Sequence, residues 1–502
     1  MVQKWQLPLQ TLNLVVGFMV WVILSSLMPF IKETVPLSPG EVAWVTAIPV
    51  LLGSLLRIPI GYWSNRFGAR KLFSISFLLL LAPVFYISKA TTYTDLLVGG
   101  VFLGIGGAVF SIGVTSLPKY FPKERHGSIN GIYGMGNIGT ALTTFSAPVL
   151  AKSFGWATTV QMFMVLLVGF AFLTLFLGDK NEPKVVTPLR QQLVSVYKNK
   201  KLWLVSLFYF ITFGCFVAFT VYLPNFLVSH FQIEKVDAGM RTAGFILLAT
   251  IARPLGGWLG DRWNPFKTLM IVFTGLALSG ILLSFSPAIQ MYTAGCLLVA
   301  LCAGIGNGAV FKLVPMYFSK QAGIVNGIVS AMGGLGGFFP PLVLTLLFNL
   351  TGHYAIGFMA LSQFALASLI IVIWLFYQEK LQLATTIMEN TGEAILITDT
   401  KGVIKNANQA FTRVTGYAMD EVIGKSPNIL KSGKQDAVFY QKMWESIQKN
   451  GYWQGEIWNR RKNGEQYLQW LTISAIQDDA GDTQYYTGMF SELSKQENAK
   501  NA

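Results

Sequence analysis

The sequence predicts an all-α polytopic membrane protein, twelve transmembrane helices in two six-helix halves, followed by a small α+β domain. Three observations carry this. Hydrophobic residues make up 53% of the 502-residue chain and charged residues only 12%, far from the balance of a soluble domain. Apolar runs long enough to cross a hydrocarbon core of about 30 Å follow one another up to residue 378. Finally, the first half recurs in the second. Arg57-Ile-Pro-Ile-Gly61-Tyr-Trp-Ser-Asn65-Arg66 returns as Arg253-Pro-Leu-Gly-Gly257-Trp-Leu-Gly-Asp261-Arg262, with the same spacing between arginine, glycine, Asn/Asp and second arginine.

The spans are placed near 11–30, 42–63, 72–89, 95–117, 128–151, 157–178, 202–229, 239–259, 267–286, 290–317, 322–349 and 353–377. Thr11 to Phe30 reads as a first span and not as a cleavable signal, since no small-residue cleavage site follows it. With the amino terminus in the cytoplasm, inside loops hold sixteen Lys and Arg, including Lys119, Lys123, Lys200 and Lys320. Outside loops hold five: Lys32, Lys89, Lys152, Lys235 and Arg241. That asymmetry fits the positive-inside rule. The net charge of +14 is therefore read as topology, with the lipid bilayer as neighbour and no nucleic acid. The expected units are helix bundles over 1–178 and 202–378, a cytoplasmic linker over 179–201 and the small α+β domain over 379–502.

Arg57 and Arg253 fall in mid-span, where a charge is costly and needs a partner. The acids before residue 379 are Glu33, Glu41, Asp95, Glu124, Asp179, Glu182, Glu234, Asp237 and Asp261, all at predicted segment ends or in loops. Two permanent cations without an internal carboxylate predict an anion site. A guanidinium offers paired donors in a plane, so two of them meeting across a pseudo-two-fold axis would sandwich a small planar oxyanion. The alternative is that they bond backbone carbonyls freed by Pro59 and Pro254, or snorkel to an interface.

The repeat extends further. Gly104-Ile-Gly-Gly-Ala-Val-Phe110 returns as Gly304-Ile-Gly-Asn-Gly-Ala-Val-Phe311, and Asn130-Gly131-Ile as Asn326-Gly327-Ile. The glycine runs around Gly134 and Gly333 read first as close helix packing, although a smooth glycine seam also lets helices slide. Asn137 is either a donor to an anion or a cap. Lys312, in span ten, either faces the path or snorkels to the cytoplasmic end. Phe18, Phe110, Tyr209 and Phe311 read generically as packing.

Cys215, Cys296 and Cys302 lie inside apolar segments and give no disulfide framework. His126, His230 and His353 fall in predicted loops without metal spacing. With no nucleophile constellation, phosphate loop or dinucleotide fingerprint, neither an enzyme nor an ATP-driven pump is expected. Halves joined by a polar linker suit a rocking carrier with a midplane site.

The loops Gly61-x3-Asn65-Arg66-Phe67-Gly68-Ala69-Arg70-Lys71 and Gly257-x3-Asp261-Arg262 resemble the loop signature of the major facilitator superfamily. Asn65 stands where that signature commonly has Asp. Within the superfamily, residues 5–378 resemble the nitrate/nitrite porters, through the in-membrane arginines of spans two and eight and the glycine-rich signatures around 130–139 and 323–337. The resemblance implies Arg57 and Arg253 as the anion clamp and Asn137 as a polar contact. It also implies Tyr209 as a substrate hydrogen-bonder, Phe110 and Phe18 as aromatic walls, and Gly134 and Gly333 as part of the site. Gly61, Asn65, Arg66, Gly257, Asp261 and Arg262 would govern gating.

After Tyr377 the chain becomes polar, with alternating runs such as Ala394-Ile-Leu-Ile-Thr398 and turns at Gly402 and Gly464. Ala407-Asn-Gln-Ala-Phe, Thr415-Gly-Tyr and Gly455-Glu-Ile-Trp-Asn-Arg-Arg-Lys-Asn-Gly464 resemble a PAS sensor. Residues 379–502 contain neither cysteine nor histidine, which excludes a cysteine–flavin adduct and argues against His-ligated haem. A non-covalent flavin and an empty module for self-association or a signalling partner both stay open.

The expected function is secondary transport of nitrate and nitrite across the cell membrane, with no cofactor for transport. Exchange is favoured over proton symport because no midplane carboxylate is present and arginine does not release its proton. The alternatives are a nitrate receptor signalling through the PAS domain and a carrier of another small anion.

Overall fold

The computed structural model describes residues 2–122, 125–184, 188–285, 288–318, 321–478 and 481–493. Lys123, Glu124 and Lys320, named above, lie outside them. The chain divides into two compact units, Met1–Trp374 and Leu375–Ala502, each described by itself.

The first unit is helical throughout. Its amino-terminal half holds α1 (Val2–Trp21), α2 (Ile23–Thr34), α3 (Pro39–Leu55), α4 (Arg57–Phe67), α5 (Ala69–Ile87), α6 (Tyr93–Ala108), α7 (Phe110–Ser116), α8 (His126–Gly134), α9 (Ile138–Phe154) and α10 (Trp156–Leu177). A short helix, α11 (Leu189–Val196), lies within the expected linker. The second half holds α12 (Lys200–Phe231), α13 (Lys235–Arg262), α14 (Pro265–Ser284), α15 (Ile289–Tyr317), α16 (Ala322–Thr351) and α17 (Ala355–Asn390), whose residues from Leu375 on belong to the second unit. Among the described residues ten helices are long and apolar enough to cross a membrane, or eleven if α3 and α4 count as one span. The chain is a multi-pass membrane protein.

Four of the predicted spans are interrupted, all in the first half: the first at Val22, between α1 and α2, and three beside the candidate site. α3 and α4 meet at a 42° bend immediately before Arg57. α6 gives way to α7 immediately before Phe110. The predicted fifth span is α8, a 3-10 turn over Met135–Asn137, and α9. Glycine weakens a helix by about 1 kcal/mol relative to alanine, and Gly134, Gly136 and Gly139 crowd this break.

The repeated Gly-Ile-Gly motif has the same use in both halves. A Cβ on Gly104 would come within 2.8 Å of the Pro49 carbonyl and would strike the Gly53 backbone; one on Gly304 would strike the Ala249 carbonyl. In each half the motif lets two helices, α3 with α6 and α13 with α15, cross at backbone distance. The last helix outruns its prediction: α17 continues to Asn390.

The second unit is a five-stranded antiparallel sheet ordered β2-β1-β5-β4-β3. Its strands are β1 (Ala394–Asp399), β2 (Ile404–Ala407), β3 (Tyr452–Arg460), β4 (Gln466–Gln477) and β5 (Thr483–Glu492). α18 (Gln409–Thr415), α19 (Met419–Val422) and α20 (Ala437–Asn450) fill the connection between β2 and β3. One face of the sheet buries Leu396 and Phe490 against Phe411, Val422 and Leu430. Asn408 ties the entry to this unit. Its carboxamide oxygen accepts from Ile395 N and Phe411 N, and its amide donates to the carbonyls of Met388 and Glu393.

Candidate anion site at the seam between the halves

The bend before α4 aims Arg57 into the seam, and α13 aims Arg253 there from the other half. Both are buried, at 0% and 1% exposure. Their guanidinium carbons lie 5.3 and 5.2 Å from the centroid of the Phe110 ring, and 5.0 and 5.8 Å from that of Phe213. The two cations therefore flank the same pair of stacked rings, whose centroids are 6.3 Å apart. Tyr209 stacks on Phe213 at 4.9 Å and meets Phe311 edge-on. Arg253 Nη2 donates to the Tyr209 hydroxyl at 3.1 Å.

The alternative reading of Arg57 is half realised. Its Nη1 donates to the Ser330 carbonyl at 2.6 Å, and its Nε to the Gly107 carbonyl at 3.3 Å. Neither carbonyl is one freed by Pro59 or Pro254. Three nitrogens still lack an acceptor: Arg57 Nη2 and Arg253 Nε and Nη1. Among the described residues no carboxylate pairs with either guanidinium. Desolvating an ion costs several kcal/mol. A ring contact to a desolvated cation returns about 2 kcal/mol or more, and a hydrogen bond from a charged group about 1.5–3 kcal/mol. Such a centre favours an anion.

Gly134 and Gly333 sit here for reasons of space. A Cβ on Gly134 would collide with the Arg253 guanidinium, and one on Gly333 with the Tyr209 ring. Asn137 is buried and its Oδ1 has no donor, but no hydrogen bond joins it to either arginine. Phe18 stands one ring back, stacked on Phe110 at 6.4 Å and packed on Trp21. Sequence reasoning missed Trp21, Phe213 and Ser330. Trp21 and Phe213 are two aromatics among many, and Ser330 contributes a main-chain carbonyl, for which no side-chain signal exists.

The glycine signatures form the inter-half packing. A Cβ on Gly131 would meet Pro254 Cα at 3.2 Å and the Arg253 carbonyl at 3.4 Å. One on Gly327 would meet the Arg57 carbonyl at 3.2 Å and Ile58 Cα at 3.4 Å. Each signature therefore lies against the backbone of the opposite half's arginine. Beyond them, the Asp261 carboxylate accepts from Ser128 N (2.9 Å) and Oγ (2.6 Å) across the seam and pairs with Lys312 at 2.7 Å. Lys312 thus resolves to the end of the path, away from the arginines. Asn65 packs against Gly323 in the equivalent place, an amide where the other half has a carboxylate. Gly61 and Gly257 face Gly327 and Gly127. Arg66 and Arg262 instead lie over Phe67 and Trp258 of their own helices or helix ends. At the opposite end Lys32 donates to Asn225, Lys152 pairs with Glu234, and Lys235 pairs with Glu33. Both ends carry contacts between the halves, and the arginines are enclosed.

Two repeated helical halves closed over a buried cationic centre define a membrane carrier. The description Major Facilitator Superfamily matches residues 11–339 and again 205–419, and that of a PAS domain matches 392–495. The chain belongs to the Major Facilitator Superfamily and carries a PAS domain. It is 64% identical over 383 residues to the nitrite extrusion protein of Bacillus subtilis (strain 168), covering 76% of this chain and 97% of that protein. It is 55% identical over 375 residues to the probable nitrate transporter NarT of Staphylococcus epidermidis (strain ATCC 35984), covering 75% and 97%. The crystal structure of the human organic anion transporter MFSD10 superposes with a TM-score of 0.59 at 15% identity, over 74% of this chain and 99% of that one, a likeness of fold.

Proposed function

We propose that the chain carries nitrate and nitrite across the cytoplasmic membrane by alternating access, the anion held between Arg57 and Arg253. The observation that carries this reading is the set of buried guanidinium nitrogens without an acceptor, in a chain whose relatives are named for nitrate and nitrite. The Tyr209 hydroxyl accepts from Arg253 and keeps its own proton to offer an anion oxygen. Residues 1–178 and 202–378 are the rocking bundles. Asp261 with Ser128, and Asn65 with Gly323, close the end that positive-inside counting puts in the cytoplasm, together with the amino terminus and the PAS domain. Exchange is favoured over proton symport: an anion-free pair of guanidiniums resists passage through the enclosed form, and no carboxylate beside them can carry a proton.

The test uses purified protein in liposomes at equal pH on both sides. Labelled nitrate is expected to enter only when nitrate or nitrite is inside. Uptake into anion-free vesicles that grows on acidifying the outside would establish symport instead. No uptake under any condition would favour the receptor.

The PAS domain is taken as regulatory. Between its sheet and α20 is a cavity of about 350 Å³ lined by Met443, Trp444, Ile457 and Gln469, and Gln469 Oε1 is buried without a donor. A cavity lined by apolar side chains together with Lys401, Lys431 and Asn459, and holding one free amide acceptor, suits a non-covalently held polar ring with an N–H edge, such as a flavin. Deleting 391–502, beyond the end of α17, is expected to leave the exchange rate within about threefold of the full chain. Complete loss would make the domain integral to transport.

A further inference from the structure

Arg57 and Arg253 occupy equivalent places in the repeat, yet their attachments differ. Arg253 is held within its own half, by Tyr209 of α12. Arg57 is held across the seam, by the main-chain carbonyl of Ser330 in α16. The repeat explains how the difference arises. Counting from Asn130-Gly131 and Asn326-Gly327, Ser330 stands in the place of Gly134. Where the first half leaves room for the Arg253 side chain, the second half has a hydroxyl. That hydroxyl lies 3.2 Å from the Ser111 hydroxyl of α7, again across the seam, and 3.1 Å from the Gly327 carbonyl. Both serines are fully buried. If Ser330 donates to Gly327, Ser111 must donate to Ser330, so one hydroxyl chain fixes the turn of α16 whose carbonyl holds Arg57. One turn earlier in α16, Asn326 Nδ2 donates to the Val114 carbonyl at 3.2 Å.

We propose that Ser111 and Ser330 form a clasp across the seam that positions Arg57, binding this cation to the opposite half while the seam is closed and releasing it when α16 moves away from α7. The proposal rests on the transport reading and deepens it. When the seam opens, Arg57 loses its shortest hydrogen bond and keeps only the long one to Gly107. An anion already on Arg57 supplies the replacing acceptor, whereas a carrier without one must open with a second donor unpaired. Arg57 thereby couples opening to occupancy, and Arg253, with two nitrogens lacking an acceptor, is the arm that receives the anion. Ser111 and Ser330 are positioning residues.

The test is the double variant Ser111→Cys/Ser330→Cys, in the full chain in liposomes, with a protease site placed in the linker. The two side chains end 3.2 Å apart, which brings cysteine sulfurs at these positions within reach of each other. Oxidation is expected to keep the two halves joined on a gel after cleavage and to reduce nitrate/nitrite exchange at least tenfold. Reductant is expected to restore exchange, and each single-cysteine variant to be unaffected by oxidant. Failure of the two cysteines to cross-link, or a cross-linked protein that exchanges at the reduced rate, would overturn the clasp. A wild-type protein that exchanges no nitrate counts against the transport reading, while the gel still decides whether the serines meet. Should the double variant not fold, Ser111→Ala and Ser111→Thr decide. Loss of one neutral hydrogen bond changes a conformational population about two- to tenfold. Ser111→Ala is therefore expected to change the exchange rate at least twofold, with threonine, which keeps the hydroxyl, returning it towards wild type. Equal rates in Ser111→Ala and wild type would reject the proposal.

Discussion

Arg57→Lys is expected to lower nitrate exchange about 100-fold, although the charge is kept. The arginine has three distinct duties at once: Nε to the Gly107 carbonyl, Nη1 to the Ser330 carbonyl, and Nη2, buried without an acceptor, left for an anion. A planar fork meets all three because its donors are fixed in direction. An ammonium has three donors but one centre, on a more strongly hydrated head, so satisfying two carbonyls turns it from the anion. Losing one charge-assisted bond to the anion costs about 1.5–3 kcal/mol, and each 1.4 kcal/mol is a tenfold change. The upper part of that range applies in a site shut off from water. The flat faces of Phe110 and Phe213 add to the penalty, since a guanidinium stacks on them and an ammonium does so less well. The measurement is labelled nitrate exchange in liposomes, with size-exclusion elution as a check on folding. Exchange within threefold of wild type would remove the clamp from the mechanism.

How far the chain could be read in advance follows from what kind of signal each part leaves. The two arginines and their spacing were legible because a charge in an apolar run stands out against everything beside it. The glycine signatures were legible as packing surfaces. That they pack on the opposite half, Gly131 on Pro254 and Gly327 on Ile58, was not, because periodicity marks a small face without saying what covers it. Lys312 illustrates the same limit. Its span could be assigned, but its direction was set only by Asp261, more than fifty positions away in sequence and 2.7 Å away in space. Phe213 could not be distinguished from the other phenylalanines of α12, since its role comes from lying between two cations brought together by tertiary structure. The breaks at Leu56, Val109 and Met135 were hidden for a different reason. A hydropathy window averages over a turn, and a broken span stays as apolar as a straight one. All three breaks border the site, and at one of them the Gly107, Val109 and Phe110 carbonyls accept from the side chains of Arg57 and Tyr133.

Gly134→Ala is expected to abolish exchange while leaving the protein folded. The backbone at Gly134 is right-handed helical, φ −62° and ψ −15°, so alanine suits it, and in a helix alanine is favoured over glycine by about 1 kcal/mol. The obstacle is the added methyl group. It would lie 2.5 Å from Arg253 Cδ and 2.6 Å from its Cζ, well inside van der Waals contact. The cheapest relief is to swing the guanidinium aside, since it ends a flexible side chain, and not to move a helix. That swing takes Arg253 off the Tyr209 hydroxyl and away from Phe110, so the arm proposed to receive the anion is displaced by a change that touches no charged atom. Gly131→Ala makes the comparison informative. Its methyl would face backbone, Pro254 Cα at 3.2 Å, and relief there means parting the halves by a few tenths of an ångström. The two alanines should therefore differ in kind. Gly134→Ala should lose nitrate binding while the protein still folds and elutes as wild type. Gly131→Ala should retain binding and instead show a lower melting temperature. Normal nitrate binding in Gly134→Ala would mean that Arg253 does not hold the anion from the place it occupies beside Tyr209.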